Sequence, residues 1–152
     1  MKFRILMGAA LVALSATAFA AAPPTSPDAQ VEHAWIRWLP AKLPAAGYAV
    51  IRNVGDDNLR LTGASSPEYG MVMLHHSRLA QGDSTMEMVD HLDIPAHGSV
   101  TLAPGGYHLM LSQPKHPIKP GDRVKVTFEF AGGGKLQTDF SVRPANASGP
   151  TD

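Results

Sequence analysis

Cysteine is absent from all 152 residues. No disulfide can brace this chain, so burial of apolar side chains must hold the fold. Zinc–thiolate sites, iron–sulfur clusters and blue-copper electron-transfer sites are excluded as well, because each needs a thiolate. Any metal chemistry is left to His, Met or carboxylate. An excess of one charge is also missing: 13 Lys and Arg balance 13 Asp and Glu. A nucleic-acid binder needs a basic face, and this composition supplies none. Long apolar runs are confined to Ile5–Phe19, preceded by Lys2 and Arg4 and closed by Ala18-Phe19-Ala20. That run is short for a membrane span and ends in small residues, the pattern of an export signal cleaved before Ala21. Removing residues 1–20 takes away two basic residues and no acidic ones, giving a mature net charge of −2 with no stable membrane insertion expected. Nucleotide and acyl-transfer motifs are missing too. Gly132-Gly133-Gly134-Lys135 lacks P-loop spacing and is followed by Leu136 rather than Ser or Thr, and there is no G-x-S-x-G.

Turn residues, by contrast, are abundant, with 14 Gly and 13 Pro. They divide the chain into short segments of alternating polarity. Residues 21–30 are a Pro-rich leader, expected to be flexible. Strand-like segments follow at 31–38, 46–53, 59–66, 71–79, 85–94, 99–103, 107–112, 123–130 and 136–142, with turn signals at Gly55-Asp56-Asp57-Asn58, Gln81-Gly82-Asp83-Ser84 and Gly132-Gly133-Gly134. Residues 144–152 are polar and are expected to be a disordered tail. About nine short strands and no convincing helix imply a single antiparallel β-sandwich or barrel over residues 31–143.

Methionine placement is the informative part of the composition. Met1 and Met7 lie in the signal, and the other five, Met71, Met73, Met86, Met88 and Met110, fall within forty residues. Six of the seven His lie between His75 and His116. Within this window ten residues separate His75 from Met86, twenty-one separate Met86 from His108, and one separates His108 from Met110. Side chains at i and i+2 of a strand share a face, so His108 and Met110 can reach one ion. His75 and Met86 flank a turn and can face one another if their strands form a hairpin. Two imidazoles and two thioethers are soft, uncharged donors suited to Cu(I) rather than to Zn²⁺ or Mg²⁺. From spacing alone, the same Met residues can equally be core side chains and the His residues surface ones.

The mature domain resembles the periplasmic copper chaperone family called PCuAC. The resemblance is carried by Ala34–Arg37 (AWIR), Ala46–Asn53 (AGYAVIRN), Leu61–Pro67 (LTGASSP), Leu74-His75, Met86–Met88 (MEM), Leu102–Leu111 (LAPGGYHLML) and Lys119–Phe130 (KPGDRVKVTFEF). The family motif, H-x10-M-x21-H-x-M, is matched by His75, Met86, His108 and Met110. The resemblance implies a cupredoxin-like Greek-key β-sandwich in the periplasm that binds one Cu(I) per chain through those four residues. It also implies delivery of copper to the CuA centre of cytochrome c oxidase subunit II, directly or with a Sco-type copper protein. The chain departs from the family in two places. His76 follows the first His, where many members have Met or an acidic residue. The tail Ala147–Asp152 (ASGPTD) has no His or Met, unlike tails that bind a second, Cu(II) ion.

The remaining His and Met residues are expected to be bystanders. His76 should point away from His75. Met71, Met73 and Met88 are expected in the core, and His33, His97 and His116 in solvent. His91 and Asp93, with His97, are the seed of a hard metal site and hence of a hydrolase, but Pro95 and Gly98 interrupt the strand between them. Two other readings compete with a carrier. One is an exported interaction sandwich whose His/Met cluster is incidental. The other is a copper-dependent redox enzyme, which would show sustained turnover of a defined substrate.

Overall fold

A computed structural model describes residues 26–40 and 43–151. The expected signal at 1–20 and the start of the leader lie outside the described residues. Ten strands form in chain order: β1 (Ala29–Arg37), β2 (Ala45–Asn53), β3 (Leu59–Ser65), β4 (Tyr69–Ala80), β5 (Asp83–Met88), β6 (Leu92–Ile94), β7 (Ser99–Leu102), β8 (Tyr107–Pro114), β9 (Arg123–Phe130) and β10 (Lys135–Arg143). No helix occurs among the described residues. The expected single strand at 85–94 is two elements. β5 pairs with β4, and β6 pairs with β3 at the other end of the sheet, so the chain crosses the sandwich between Met88 and Leu92. The last two residues of the expected leader, Ala29 and Gln30, already belong to β1.

The strands make one continuous sheet in the order β5-β4-β8-β2-β1-β10-β9-β3-β6, with β7 also paired to β2. Among the described residues only the β1–β10 pair is parallel. Crossovers from β2 to β3, β3 to β4 and β5 to β6 wrap the sheet around one core, the all-β, single-domain Greek-key sandwich expected from the sequence. The inner face is apolar and fully buried at Ile36, Ile51, Leu109, Leu111, Val124, Val126, Phe128 and Phe140. The Phe128 and Phe140 rings lie 6.0 Å apart, within the range of favourable aromatic pairs. Strand β9 reads RVKVTFEF, whose alternation matches its exposed-and-buried pattern, so period two alone places its side chains.

In β1 a bulge breaks that rule. The pairing with β2 shifts between Glu32 and Trp35, and His33 takes a left-handed φ of 53°. Val31 therefore points inward, whereas Trp35, four residues on, points outward and pairs with Tyr48. An unbroken strand would place Val31 and Trp35 on one face. A second, smaller cluster forms on the outer face from Trp35, Tyr48 and Ala147. Residues 144–151 are accordingly not the loose tail their composition suggests. Ala147 is only 7% exposed, and its carbonyl accepts a hydrogen bond of 3.2 Å from Arg37 Nε. A small apolar side chain and one accepting carbonyl anchor a segment that is otherwise polar.

Candidate metal centre

The candidate donors sit on the outer face of the strand trio β5-β4-β8. Strand β4 is central in this trio. Its pairing with β8 sets His75 opposite His108 and Met73 opposite Met110. Its pairing with β5 sets Met88 opposite His75 and Met86 opposite Ser77. Residues paired across a sheet share a face, as do i and i+2 along a strand. Met71, Met73, His75, Met86, Met88, His108 and Met110 therefore share one side of the sheet. Leu74 and Leu109 point the other way, into the core.

The register with β5 follows from the turn. Gln81 and Gly82 have φ of 53° and 87°, and Ala80 pairs with Asp83, so the loop has two residues rather than the four expected. This turn makes Met88, rather than Met86, the direct partner of His75. Met88 is 67% exposed and Met86 is 56% exposed, so the expectation that Met88 is a core residue fails. Met71 is exposed as well, and Met73 is only partly buried. The inner positions of β4 belong to Val72 and Leu74, which leaves these Met residues on the outer face.

The two histidines form the best-defined part of the group. Their ring centroids are 5.8 Å apart, with the planes at 75°. His108 is 6% exposed, and its Nδ1 lies 3.1 Å from the carbonyl oxygen of Gly106. A carbonyl only accepts, so His108 Nδ1 carries the proton and Nε2 keeps a lone pair for a ligand. His75 Nδ1 is buried and has no hydrogen-bond partner. Unpaired buried polar atoms are uncommon, and this nitrogen is free of any protein hydrogen bond and so available to a ligand. Burial, and then the neighbouring His108, hold the His75 pKa below the usual value for histidine. His75 is therefore the neutral, lone-pair-bearing form at neutral pH. The donors present fit soft monovalent copper: two imidazoles with thioethers beside them.

Sequence reasoning missed the aromatic wall of this face. Tyr48 on β2 lies beside His108 at a centroid distance of 6.4 Å, and Trp35 stacks behind it at 4.7 Å. The Arg37 guanidinium sits 5.4 Å from both ring centres. Burial raises the Tyr48 pKa and the nearby Arg37 charge partly offsets this, so the phenol stays protonated at neutral pH. Pairing of β2 with β8 is non-local in sequence, and the bulge in β1 reverses the face of Trp35, so no local signal marked either ring.

The other candidates are dispersed. His76 points to the opposite face, where it stacks on Tyr107 at 4.2 Å and accepts a hydrogen bond of 3.1 Å from Arg78 Nε. His33, His91 and His116 are exposed, and His97 Nε2 lies 2.8 Å from Asp56 Oδ1. Asp93 is held by Arg60 at 2.7 Å. That hydrogen bond lowers the Asp93 pKa and raises that of Arg60. The carboxylate needed for a hard metal site is thus already engaged, and no group of three or more His, Asp or Glu suited to a metal ion occurs among the described residues.

Comparison with known proteins bears on this face. The family model described as "Putative lipoprotein LpqE-like" matches residues 29–142. The chain belongs to the LpqE-like family. Lxx21020 of Leifsonia xyli subsp. xyli, which carries the same lipoprotein description, is 33% identical over 131 residues, covering 85% of this chain and 78% of that protein. Among solved structures, the copper-bound PCuAC domain from PmoF2 is similar with a TM-score of 0.64 and 26% identity, over 79% of this chain and 96% of that one. The Cu(I) form of DR1885 from Deinococcus radiodurans gives a TM-score of 0.60 and 29% identity, over 81% of this chain and 80% of its own. Its apo form gives the same score and identity over 97% and 99% of the two chains. The fold seen here is thus shared with the PCuAC domain of PmoF2, solved with copper bound, and with DR1885, solved in its Cu(I) form.

Proposed function

We propose that this LpqE-like protein is an exported Cu(I) metallochaperone of the periplasm. It holds one Cu(I) per chain through His75, Met86, His108 and Met110, and delivers it to the CuA centre of cytochrome c oxidase subunit II, directly or through a Sco-type protein. The observation that carries this reading is the His75–His108 pair. Both rings are partly or wholly buried on an outer sheet face, one nitrogen is left unpartnered, and every methionine of residues 71–110 lies on the same face. The copper-bound relatives of the same fold support the choice of metal. The lipoprotein description of the family supports export. With no cysteine among its 152 residues, however, this sequence offers no thiol for a lipid.

The chemistry asked of the chain is modest. Neutral imidazoles supply affinity without charge, and thioethers favour Cu(I) over Cu(II), so the ion is carried as Cu(I) and no turnover is involved. Ligand exposure decides how readily the ion leaves. Met86 is more than half exposed and sits on an edge strand, where an acceptor can approach it. The test is transfer. Cu(I)-loaded protein is mixed anaerobically with the apo CuA domain of subunit II, alone and with a Sco-type protein, and copper is followed after separation. Copper should move to the acceptor from the wild type, and a Met86→Leu/Met110→Leu protein should fail to load. Copper retained by the wild type in every mixture would remove the delivery role.

A further inference from the structure

We propose that Met88, which is not part of the spacing motif, is a third thioether of the copper site, and that it exchanges with Met86 while His75 and His108 hold the ion. This inference rests on the copper-carrier reading above. Its basis is the register. Met88, His75 and His108 occupy one row across β5, β4 and β8, whereas Met86 lies one step further toward the turn, opposite Ser77. Paired residues bring their Cβ atoms to about 4.5–5.5 Å and diagonal ones to about 7–8 Å, so the thioether of Met88 starts nearer to the His75 ring than that of Met86.

A packing role does not account for Met88. It is among the most exposed large apolar side chains of the described residues, and it belongs to neither hydrophobic cluster. Strand β5 bears it at the sheet edge, pairs only with β4, and has all six residues exposed. Asp83 and Glu87 put charge on this edge, which disfavours pairing with another chain. An element held by a single ladder opens more readily than the central pair β4–β8 that carries the histidines. Placing two interchangeable thioethers on the loose strand and two imidazoles on the firm one allows one Cu–S bond to break while another forms. The copper remains Cu(I) throughout, and one thioether replaces another without transfer of protons or electrons.

The test is a double-mutant cycle on Cu(I) affinity with Met86→Leu, Met88→Leu and both together, read by competition with a chromophoric chelator. X-ray absorption counts sulfur neighbours in parallel, and thermal unfolding of the apo proteins controls for folding. Each single variant should still bind one Cu(I), with the loss from the double exceeding the product of the single losses by roughly tenfold. The sulfur count should fall only in the double variant. If Met86→Leu alone abolishes binding, or Met88→Leu is silent in both backgrounds, the exchange is overturned while the carrier reading stands. If the wild type binds no Cu(I), both fall.

Discussion

His75 on β4 and His108 on β8 are direct cross-strand partners, and their rings meet at 75° with centroids 5.8 Å apart. Thirty-two residues separate them in sequence, yet the sheet places both imidazoles on one face, with one proton fixed by the Gly106 carbonyl and one nitrogen unpaired.

A first consequence concerns metal choice. The face offers imidazole and thioether, and the carboxylates of β5, Asp83 and Glu87, pair with Ala80 and His76 on the other side of the sheet. Excess Zn²⁺ should therefore fail to displace Cu(I), whereas Ag⁺, another soft monovalent ion, should compete. Competition experiments followed by metal analysis of the recovered protein check this. Displacement by Zn²⁺ would point to a harder donor set.

The pH dependence follows from His75. Its pKa lies below the ordinary 6.5 because burial, and then the neighbouring His108, disfavour the charged ring. Between the folded and unfolded values the unfolded chain binds more protons. The contribution of His75 to apo stability is therefore complete above about 6.5 and is lost as pH falls through the lower, folded value. Protons compete with Cu(I) at His75 only as pH falls through that lower folded value, so the His75 contribution to affinity should be level through pH 6.5 and decline only beneath the folded value. Imidazole NMR titration of the apo protein gives the midpoint directly. A His75 midpoint above that of a free histidine would contradict the burial argument.

The last segment should matter for the outer cluster. Deleting residues 145–152 removes the buried Ala147 side chain and the acceptor for Arg37 Nε, uncovering Trp35 and Tyr48. In a Trp38→Phe background, Trp35 emission should shift to the red. Stability should drop by about 1 kcal/mol, the worth of one hydrogen bond and a small buried side chain. Unchanged emission would mean that the segment does not cover the cluster in solution.

Asn53 separates stability from metal binding. It is 1% exposed, and its Nδ2 donates to the carbonyls of Asp57, Ile94 and Pro95, while its Oδ1 accepts from Gly55 N. These bonds tie β2 to the loop after it and to the end of β6. Asn53→Ala leaves several buried backbone groups unpaired and should cost about 2–3 kcal/mol. Asn53 lies five residues along β2 from Tyr48, so Cu(I) affinity at low temperature should be unchanged. Chemical denaturation alongside a copper titration distinguishes the two effects.

Much of this fold was legible in the sequence because period-two alternation and Gly- or Pro-rich turns report strands directly. β9 needed nothing more. Alternation fails where the backbone departs from it: the bulge at His33 turns Trp35 outward, and no residue between Val31 and Trp35 announces the change. The clustering of His and Met fell on β4, β5 and β8, which are neighbours in the sheet, and His76 faces away from His75 as alternation requires. The hairpin register was the subtler point. A two-residue Gln81-Gly82 turn pairs His75 with Met88, whereas reading four turn residues hid that pairing, and the Gly at the second turn position was the available signal. Tyr48 beside His108 depends on a strand pairing about sixty residues apart, which local patterns do not encode.

On the reading proposed above, the outer face built around His75 and His108 is a Cu(I) site. Anaerobic titration of the mature protein with Cu(I) against a chromophoric competitor, beside a His75→Ala/His108→Ala variant, tests it most directly. One tightly held Cu(I) per chain is expected in the wild type and none in the variant, with both proteins equally folded. Binding undiminished in the variant, or absent from the wild type, would contradict the account.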